Sequence, residues 1–251
     1  MTESSNQQHL DEILLNKEAW DAKPALQEEY YRFFRKIASR LSLEEGHPDR
    51  RVVELGSGMG RLADVISDVI KTDLWENPWI DKVCSAYQLD FEDASISDLI
   101  LIDVFHHLET PAAFFKEAGR CLRPGGRVHI FDPFISLFSW PIYGLAHHEP
   151  VGRARDINWS DKAPDSPGYY AAQGNASFIF FRNASETPFP GFKVEFRDRL
   201  ACWTYLLSGG FSKPALYPAS MKSLLQGLDK ILDVCPDVFA GRCHIVLEKI
   251  D

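Results

Sequence analysis

An acidic residue followed by three glycines at alternate positions is the part of the sequence best suited to hold a ligand. The stretch reads Val52-Val53-Glu54-Leu55-Gly56-Ser57-Gly58-Met59-Gly60. Alternate glycines allow positive φ angles and let a ligand come closer to the backbone than a Cβ atom would permit. The apolar run before them predicts a strand, and apolar residues at helical spacing in 61–66 predict a helix after them. We interpret the stretch as a possible cofactor loop, although an ordinary strand-to-helix turn has the same pattern.

The glycine spacing differs from the dinucleotide-binding fingerprint. That fingerprint reads G-x-G-x-x-G, whereas Arg61 stands here at the position of its last glycine and the third glycine is Gly60. The spacing therefore argues against a nicotinamide-dependent oxidoreductase.

Composition and charge restrict the class of protein. The chain has 251 residues, 45% of them hydrophobic and 25% charged, with a formal net charge of -9. These values predict one globular domain, and the acidic balance argues against nucleic acid as a partner. The polar N-terminus and the lack of an apolar run of about 18 residues predict a cytoplasmic protein without a signal peptide or membrane segment. We expect a monomer or homodimer.

The order of predicted elements indicates an α/β fold. Two helices are expected near residues 10–20 and 26–43, after a disordered start at residues 1–9. Strands and helices then alternate throughout residues 51–134, which predicts right-handed crossovers and a parallel sheet. Asp73 ends the second predicted strand, at the edge where ligands bind in such sheets, and its carboxylate could accept hydrogen bonds from both ribose hydroxyls. A solvated acid in a loop would have the same position in the sequence.

Residues 135–195 interrupt this alternation and are rich in aromatic residues, glycine and proline. We interpret them as a lid or substrate insertion over the strand ends, or alternatively as a second hydrophobic core. The predicted organisation is a single domain with N-terminal helices in residues 1–48, a cofactor-binding core in 49–134, the insertion in 135–195 and C-terminal strands with a helix in 196–251.

Four ordered sequence blocks carry a family likeness. They are VVELGSGMGRL, DLILIDVFHHL with the Leu89-Asp90-Phe91 loop before it, AFFKEAGRCLRPGGRV and HIFDPF. Over residues 50–134 the chain resembles the small-molecule class I S-adenosylmethionine-dependent methyltransferases related to enzymes of ubiquinone and menaquinone biosynthesis. The resemblance implies a Rossmann-like fold with a mostly parallel seven-stranded sheet flanked by helices. It also implies S-adenosylmethionine as cofactor and S-adenosylhomocysteine as product.

The resemblance further implies which residues surround the cofactor. The glycine loop would pass beneath its methionine part, and the ends of the next strands would meet ribose, adenine and the transferring methyl. The implied cofactor-binding residues are Glu54, Gly56, Ser57, Gly58, Gly60, Asp73, Ser85, Ala86, Asp103, Val104 and Phe105. Two positions depart from the family pattern, because Ser85 stands where an acid often meets the adenine amine and Asp90 replaces the proline of the following loop.

A general base is needed only for an acceptor that arrives protonated, and imidazole titrates in the right range. The candidates are His106, His107 and His148. No metal site is predicted: the five cysteines show no metal-binding spacing, and His147, His148 and Glu149 are adjacent residues that would point apart on a regular element.

Two functional hypotheses follow. The first is transfer of a methyl group by in-line displacement to a small, partly apolar acceptor that is quinone-like, lipid-linked or a natural-product intermediate. The alternative is a degenerate methyltransferase fold that binds S-adenosylmethionine or another ligand without catalysis.

Overall fold

The computed structural model describes residues 3–146, 149–165, 170–182 and 187–250. The strands are β1 Val52–Leu55, β2 Ile70–Asp73, β3 Lys82–Val83, β4 Ile96–Ile102, β5 Leu122–Pro133, β6 Phe192–Leu200 and β7 Arg242–Lys249. The helices are α1 Glu3–Ala22, α2 Pro24–Ala38, α3 Pro111–Cys121, α4 Asn175–Phe181, α5 Trp203–Leu207, α6 Lys222–Leu232 and α7 Pro236–Phe239.

One sheet in the order β3-β2-β1-β4-β5-β7-β6 organises the molecule. The first five strands are parallel, and β7 runs antiparallel between β5 and β6. The central strand β4 is buried over nearly its whole length, as expected where elements cover both faces of a parallel sheet. The predicted seven-stranded, mostly parallel Rossmann-like methyltransferase fold is confirmed.

The N-terminal helices differ from the prediction in their ends. Helix α1 begins at Glu3, so the expected disorder of residues 1–9 is wrong for residues 3–9. Helix α2 ends at Ala38 and buries Phe33 and Ile37 in a core shared with β4 and β5. Among the residues that the structure describes, no helix combines the length and apolar character needed to cross a membrane.

The connection from β1 to β2 contains no α-helix, which corrects the helix predicted over residues 61–66. Only one 3-10 turn, Arg61–Asp64, forms there. A helix that runs back along a four-residue strand needs about nine residues, since a strand rises about 3.3 Å and a helix 1.5 Å per residue. The glycine loop uses residues 56–60, and the chain re-enters the sheet at Ile70. No residues remain for the turns that such a helix would need.

The aromatic insertion extends the main core. Phe178, Phe180 and Phe189 belong to the same buried cluster as Phe105, which follows β4. Strand β6 begins at Phe192, within the range predicted for the insertion. The insertion contacts the edge where the parallel strands end, because the Ala172 N–H donates to the carbonyl of His106. Its action as a lid stays a prediction.

Candidate active site

The ends of the four strands β1 to β4 bring the predicted cofactor residues to one edge of the sheet. The glycine loop follows β1, Asp73 ends β2, Ser85 follows β3 and Asp103 follows β4. Backbone hydrogen bonds join neighbouring strand ends: the Ser57 N–H donates to the carbonyl of Thr72 at 2.8 Å. The parallel topology therefore assembles residues that are far apart in the sequence.

The three glycines of the loop serve different purposes. A Cβ atom at Gly56 would lie 2.5 Å from a methyl group of Val104, and one at Gly60 would lie 3.0 Å from the carbonyl oxygen of Trp79. A Cβ atom at Gly58 would meet no atom of the described residues within 4 Å, although its φ of +51° also favours glycine. Packing explains Gly56 and Gly60, and of the three only Gly58 borders space that a ligand could fill.

Glu54 places an unsatisfied carboxylate beside this loop. The residue is 5% exposed, and its Oε2 has no hydrogen-bond partner among the residues that the structure describes. Burial raises the pKa of Glu54 to about 8, and the nearby charge of Asp73 adds to the rise, against a hydrogen bond from Ser57. A buried acceptor without a partner is costly, and a bound cation such as an ammonium group would stabilise the ionised form of Glu54 and lower its pKa.

The raised pKa of Glu54 predicts a pH dependence of stability. The folded state holds this proton up to about pH 8, whereas the unfolded chain releases it near pH 4.3. Between these values the native state binds more protons, so the free energy of unfolding falls by about 1 kcal/mol per pH unit as pH rises. Urea unfolding of wild-type and Glu54→Gln protein at pH 5, 6, 7 and 8 measures the difference. Parallel pH profiles for the two proteins would contradict the assignment.

Both carboxylate oxygens of Asp73 already contact other residues. Its Oδ2 accepts a hydrogen bond from the Gly58 N–H at 2.9 Å, and its Oδ1 lies 3.2 Å from Nε2 of His9. Burial lowers the pKa of His9, but its contact with Asp73 outweighs this effect and raises it. Helix α1 thus covers the end of β2 where a ribose would bind. The contact of His9 with Asp73 was not predicted, since nothing in the polar N-terminus indicated a contact with the sheet.

Asp103 adopts positive φ (+57°) directly after β4 and forms an ion pair with the buried Arg242. Its Oδ1 lies 2.5 Å from Arg242 Nη1, and its Oδ2 accepts a hydrogen bond from Tyr30 at 3.0 Å. Burial opposes ionisation of Asp103, but the charge of Arg242 prevails and keeps its pKa below the usual range. Arg242 was not predicted, because no motif marks it in the sequence.

The side chains of Phe105, Ser85 and Ala86, which are also predicted cofactor residues, contact other parts of the protein. Phe105 is fully buried and packs its ring against Phe180 in the core, so its side chain cannot line an open site. The Ser85 hydroxyl accepts a hydrogen bond from the Tyr87 N–H at 3.2 Å. Ala86 packs against the main core. A role of Ser85 and Ala86 beside adenine stays a prediction.

His106 and His107 form a 3-10 turn with Phe105 after β4 and lie side by side, with ring centroids 4.1 Å apart. Burial alone would lower the pKa of His106, but Asp132 and Glu149 outweigh it and raise that pKa to about 10. Burial and the charge of His106 lower the pKa of His107. At neutral pH His106 therefore carries a proton on each nitrogen, and His107 is neutral. The candidate base His148, like His147, lies outside the described residues.

Comparison with known proteins identifies the class of domain at this site. Residues 53–130 match the family described as a methyltransferase domain. A probable S-adenosylmethionine-dependent methyltransferase of Mycolicibacterium smegmatis is 31% identical over 130 residues. That alignment covers 46% of this chain and 51% of the relative, so the match spans about half of the relative's length.

Solved structures share the fold over most of the chain. A chain from the complex of the Haloferax volcanii Trm112 methyltransferase activator with a candidate methyltransferase has a TM-score of 0.53 at 15% identity, covering 94% of this chain and 97% of that one. The [4+2]-cyclase SpnF has a TM-score of 0.50 at 14% identity, with coverages of 87% and 80%. Sequence identities this low show similarity of fold only. The sheet order and the solved structures show that the chain has the class I methyltransferase fold, and residues 53–130 are similar to the methyltransferase domain family.

Proposed function

We propose that this protein transfers a methyl group from S-adenosylmethionine to a small, partly apolar acceptor. The observation that carries the proposal is the buried, unpartnered carboxylate oxygen of Glu54 beside the open space at Gly58. This pair fits the ammonium group of an amino-acid moiety lying along a loop that has no side chain. The match of residues 53–130 to methyltransferase domains supports the same cofactor.

The protein's contribution to the chemistry is positional. When bound, S-adenosylmethionine supplies an electrophilic methyl group on a good leaving group, so the chain must align an acceptor and exclude water. His106 is not suited to be a general base, because its raised pKa keeps it protonated at neutral pH. His107 is uncharged there, and it lies on the same turn, three residues after Val104.

For the acceptor we propose a quinone-like, lipid-linked or natural-product molecule, in line with the resemblance to the quinone-biosynthesis group. The aromatic composition of the insertion supports a partly apolar acceptor. This segment also lies beside the turn that holds His106 and His107, because the carbonyl oxygen of Tyr170 contacts Nδ1 of His107.

A second candidate function is binding of S-adenosylmethionine or another ligand without catalysis, supported by Ser85 and Asp90, which depart from the family pattern. One observation bears on cofactor binding in either function. The carboxylate of Asp73 is occupied by the Gly58 N–H and contacted by His9, so the presumed ribose site is covered by helix α1. Binding of the cofactor would have to displace His9.

Replacement of Asp73 tests the ribose assignment. We expect Asp73→Ala to weaken binding of S-adenosylmethionine by about 1–3 kcal/mol, because a carboxylate that accepts hydroxyl hydrogen bonds is lost. His9→Ala is the matched control: it removes the other half of the His9–Asp73 contact but keeps the carboxylate, so affinity should stay equal or rise. Calorimetric titration measures both variants. Unchanged affinity in Asp73→Ala would remove the assignment.

The reaction itself is tested by incubation with S-adenosylmethionine and representatives of the three acceptor classes, with S-adenosylhomocysteine measured by chromatography. We expect acceptor-dependent product in wild-type protein and none in Gly58→Val. Cofactor binding without product from any of the three acceptor classes would favour the second candidate function.

A further inference from the structure

Three potential metal ligands converge beside the turn that follows β4. Nε2 of His106 lies 3.4 Å from Glu149 Oε2, and Nε2 of His107 lies 3.6 Å from Glu149 Oε1. One ligand atom from each residue lies within 4.8 Å of the other two. His106 and Glu149 are buried, whereas the His107 side chain is 33% exposed. The cluster is therefore buried on the side of His106 and Glu149 and partly exposed on the side of His107.

The second ring nitrogen of each histidine is held by an acceptor. Nδ1 of His106 lies 3.0 Å from Asp132 Oδ1, and Nδ1 of His107 lies 2.9 Å from the carbonyl oxygen of Tyr170. A carbonyl only accepts, so Nδ1 of His107 carries the proton and the Nε2 of the neutral ring presents a lone pair towards Glu149. Carboxylate and carbonyl partners on the far nitrogen are the usual surroundings of metal-bound histidines.

The distances from the imidazoles to the carboxylate are close to those around a small ion. Ligand atoms about 2.1 Å from a tetrahedral ion are separated by about 3.4 Å. Nε2 of His106 lies 3.4 Å from Oε2 of Glu149, and Nε2 of His107 lies 3.6 Å from Oε1. Gln173 hydrogen-bonds the same carboxylate and fixes its orientation. Two imidazoles and one carboxylate suit zinc-class transition metals, whereas Mg²⁺ and Ca²⁺ prefer oxygen ligands alone.

We propose that His106, His107 and Glu149 bind one divalent transition-metal ion of the zinc class, which would displace the proton from Nε2 of His106 to solvent. The catalytic role of the ion rests on the proposed function: an acceptor hydroxyl or thiol bound as a fourth ligand would release its proton more readily, and His107 would be a ligand instead of a base. The site itself is defined by this chain's own side chains and is testable without the cofactor.

The test uses the full chain after treatment with a chelator and gel filtration. Co²⁺ is titrated while its visible absorption is recorded, because four- or five-coordinate Co²⁺ bound to nitrogen and oxygen ligands absorbs strongly, and Zn²⁺ is then added as competitor. We expect one equivalent of Co²⁺ to bind, with the absorption lost on addition of Zn²⁺. Glu149→Gln and His107→Ala should each weaken Co²⁺ binding at least about 10-fold, and circular dichroism verifies that both variants are folded.

Two further variants sharpen the test. His47→Ala removes an exposed histidine elsewhere and should leave Co²⁺ affinity unchanged. Asp132→Asn removes the outer partner of His106 and should weaken binding about 10–100-fold while the absorption bands are kept. Equal Co²⁺ affinity in wild-type, Glu149→Gln and His107→Ala proteins would overturn the site.

Failure of this inference and failure of the proposed function give different results. Calorimetry with S-adenosylmethionine on the chelator-treated protein reports the cofactor site alone. Cofactor binding without specific Co²⁺ binding would reject only the metal site. Specific Co²⁺ binding without cofactor binding would confirm the metal site and reject the proposed methyl transfer.

Discussion

Replacing Gly58 by valine is expected to abolish binding of S-adenosylmethionine while the protein remains folded. A Cβ atom at this position would have no atom of the structurally described residues within 4 Å, so a side chain would compete with the ligand without disturbing the core. We expect an affinity loss of at least about 100-fold, equivalent to about 2.8 kcal/mol. Calorimetric titration of the variant measures it.

The control for this prediction is Gly125→Val. Gly125 also has positive φ (+72°) and open space around its Cβ position, but it lies near the start of β5, at the opposite edge of the sheet. Both substitutions place a side chain in the left-handed region of φ/ψ space, which lowers the free energy of unfolding by about 1–2 kcal/mol. Only Gly58→Val should lose the cofactor. Normal affinity in Gly58→Val would show that the loop has another purpose.

Replacing Arg242 by methionine is expected to destabilise the protein by about 1–3 kcal/mol, because it leaves Asp103, whose side chain is 30% exposed, without its ion-pair partner. Arg242 is 1% exposed, and its guanidinium lies 2.5 Å from Asp103 and 5.2 Å from the ring centres of Phe131 and Tyr205. Urea unfolding at neutral pH measures the loss.

A surface pair provides the comparison. Lys116 lies 3.1 Å from Asp161 with both side chains about two-thirds exposed, at 68% and 67%. Lys116→Met should leave the free energy of unfolding unchanged, since solvent screens such pairs. If Arg242→Met were as harmless as Lys116→Met, the Asp103–Arg242 pair would not hold the end of β4 in place.

The sequence predicted the fold because its signals are local and repeated. The buried strand β4, the glycine loop and Pro111 at the start of α3 are each visible in a short window, and alternation of strands and helices determines a parallel sheet. The absence of a helix after Gly60 was not predicted. It follows from the small number of residues available before Ile70, whereas their apolar spacing is typical of a helix.

The candidate site was predictable only in part. Glu54, Gly58 and Asp73 belong to motifs at strand ends, which topology brings together. Arg242 has no such signal: its pairing with Asp103 depends on β7 entering between β5 and β6, a contact across the whole chain.

From the sequence, Glu149 was considered as a metal ligand only together with its neighbours His147 and His148. The structure places it against His106 and His107, whose adjacent rings lie together because the backbone makes a 3-10 turn there. Adjacent residues on a regular strand would have pointed apart. The roles assigned to the individual cofactor residues remain predictions until binding is measured.

Calorimetric titration of wild-type protein with S-adenosylmethionine and with S-adenosylhomocysteine shows directly whether the protein binds this cofactor. The proposed function predicts saturable binding of one equivalent of each, with both compounds competing for one site. Absence of binding by either compound would contradict it, because neither methyl transfer nor a binding-only function with this cofactor could then apply.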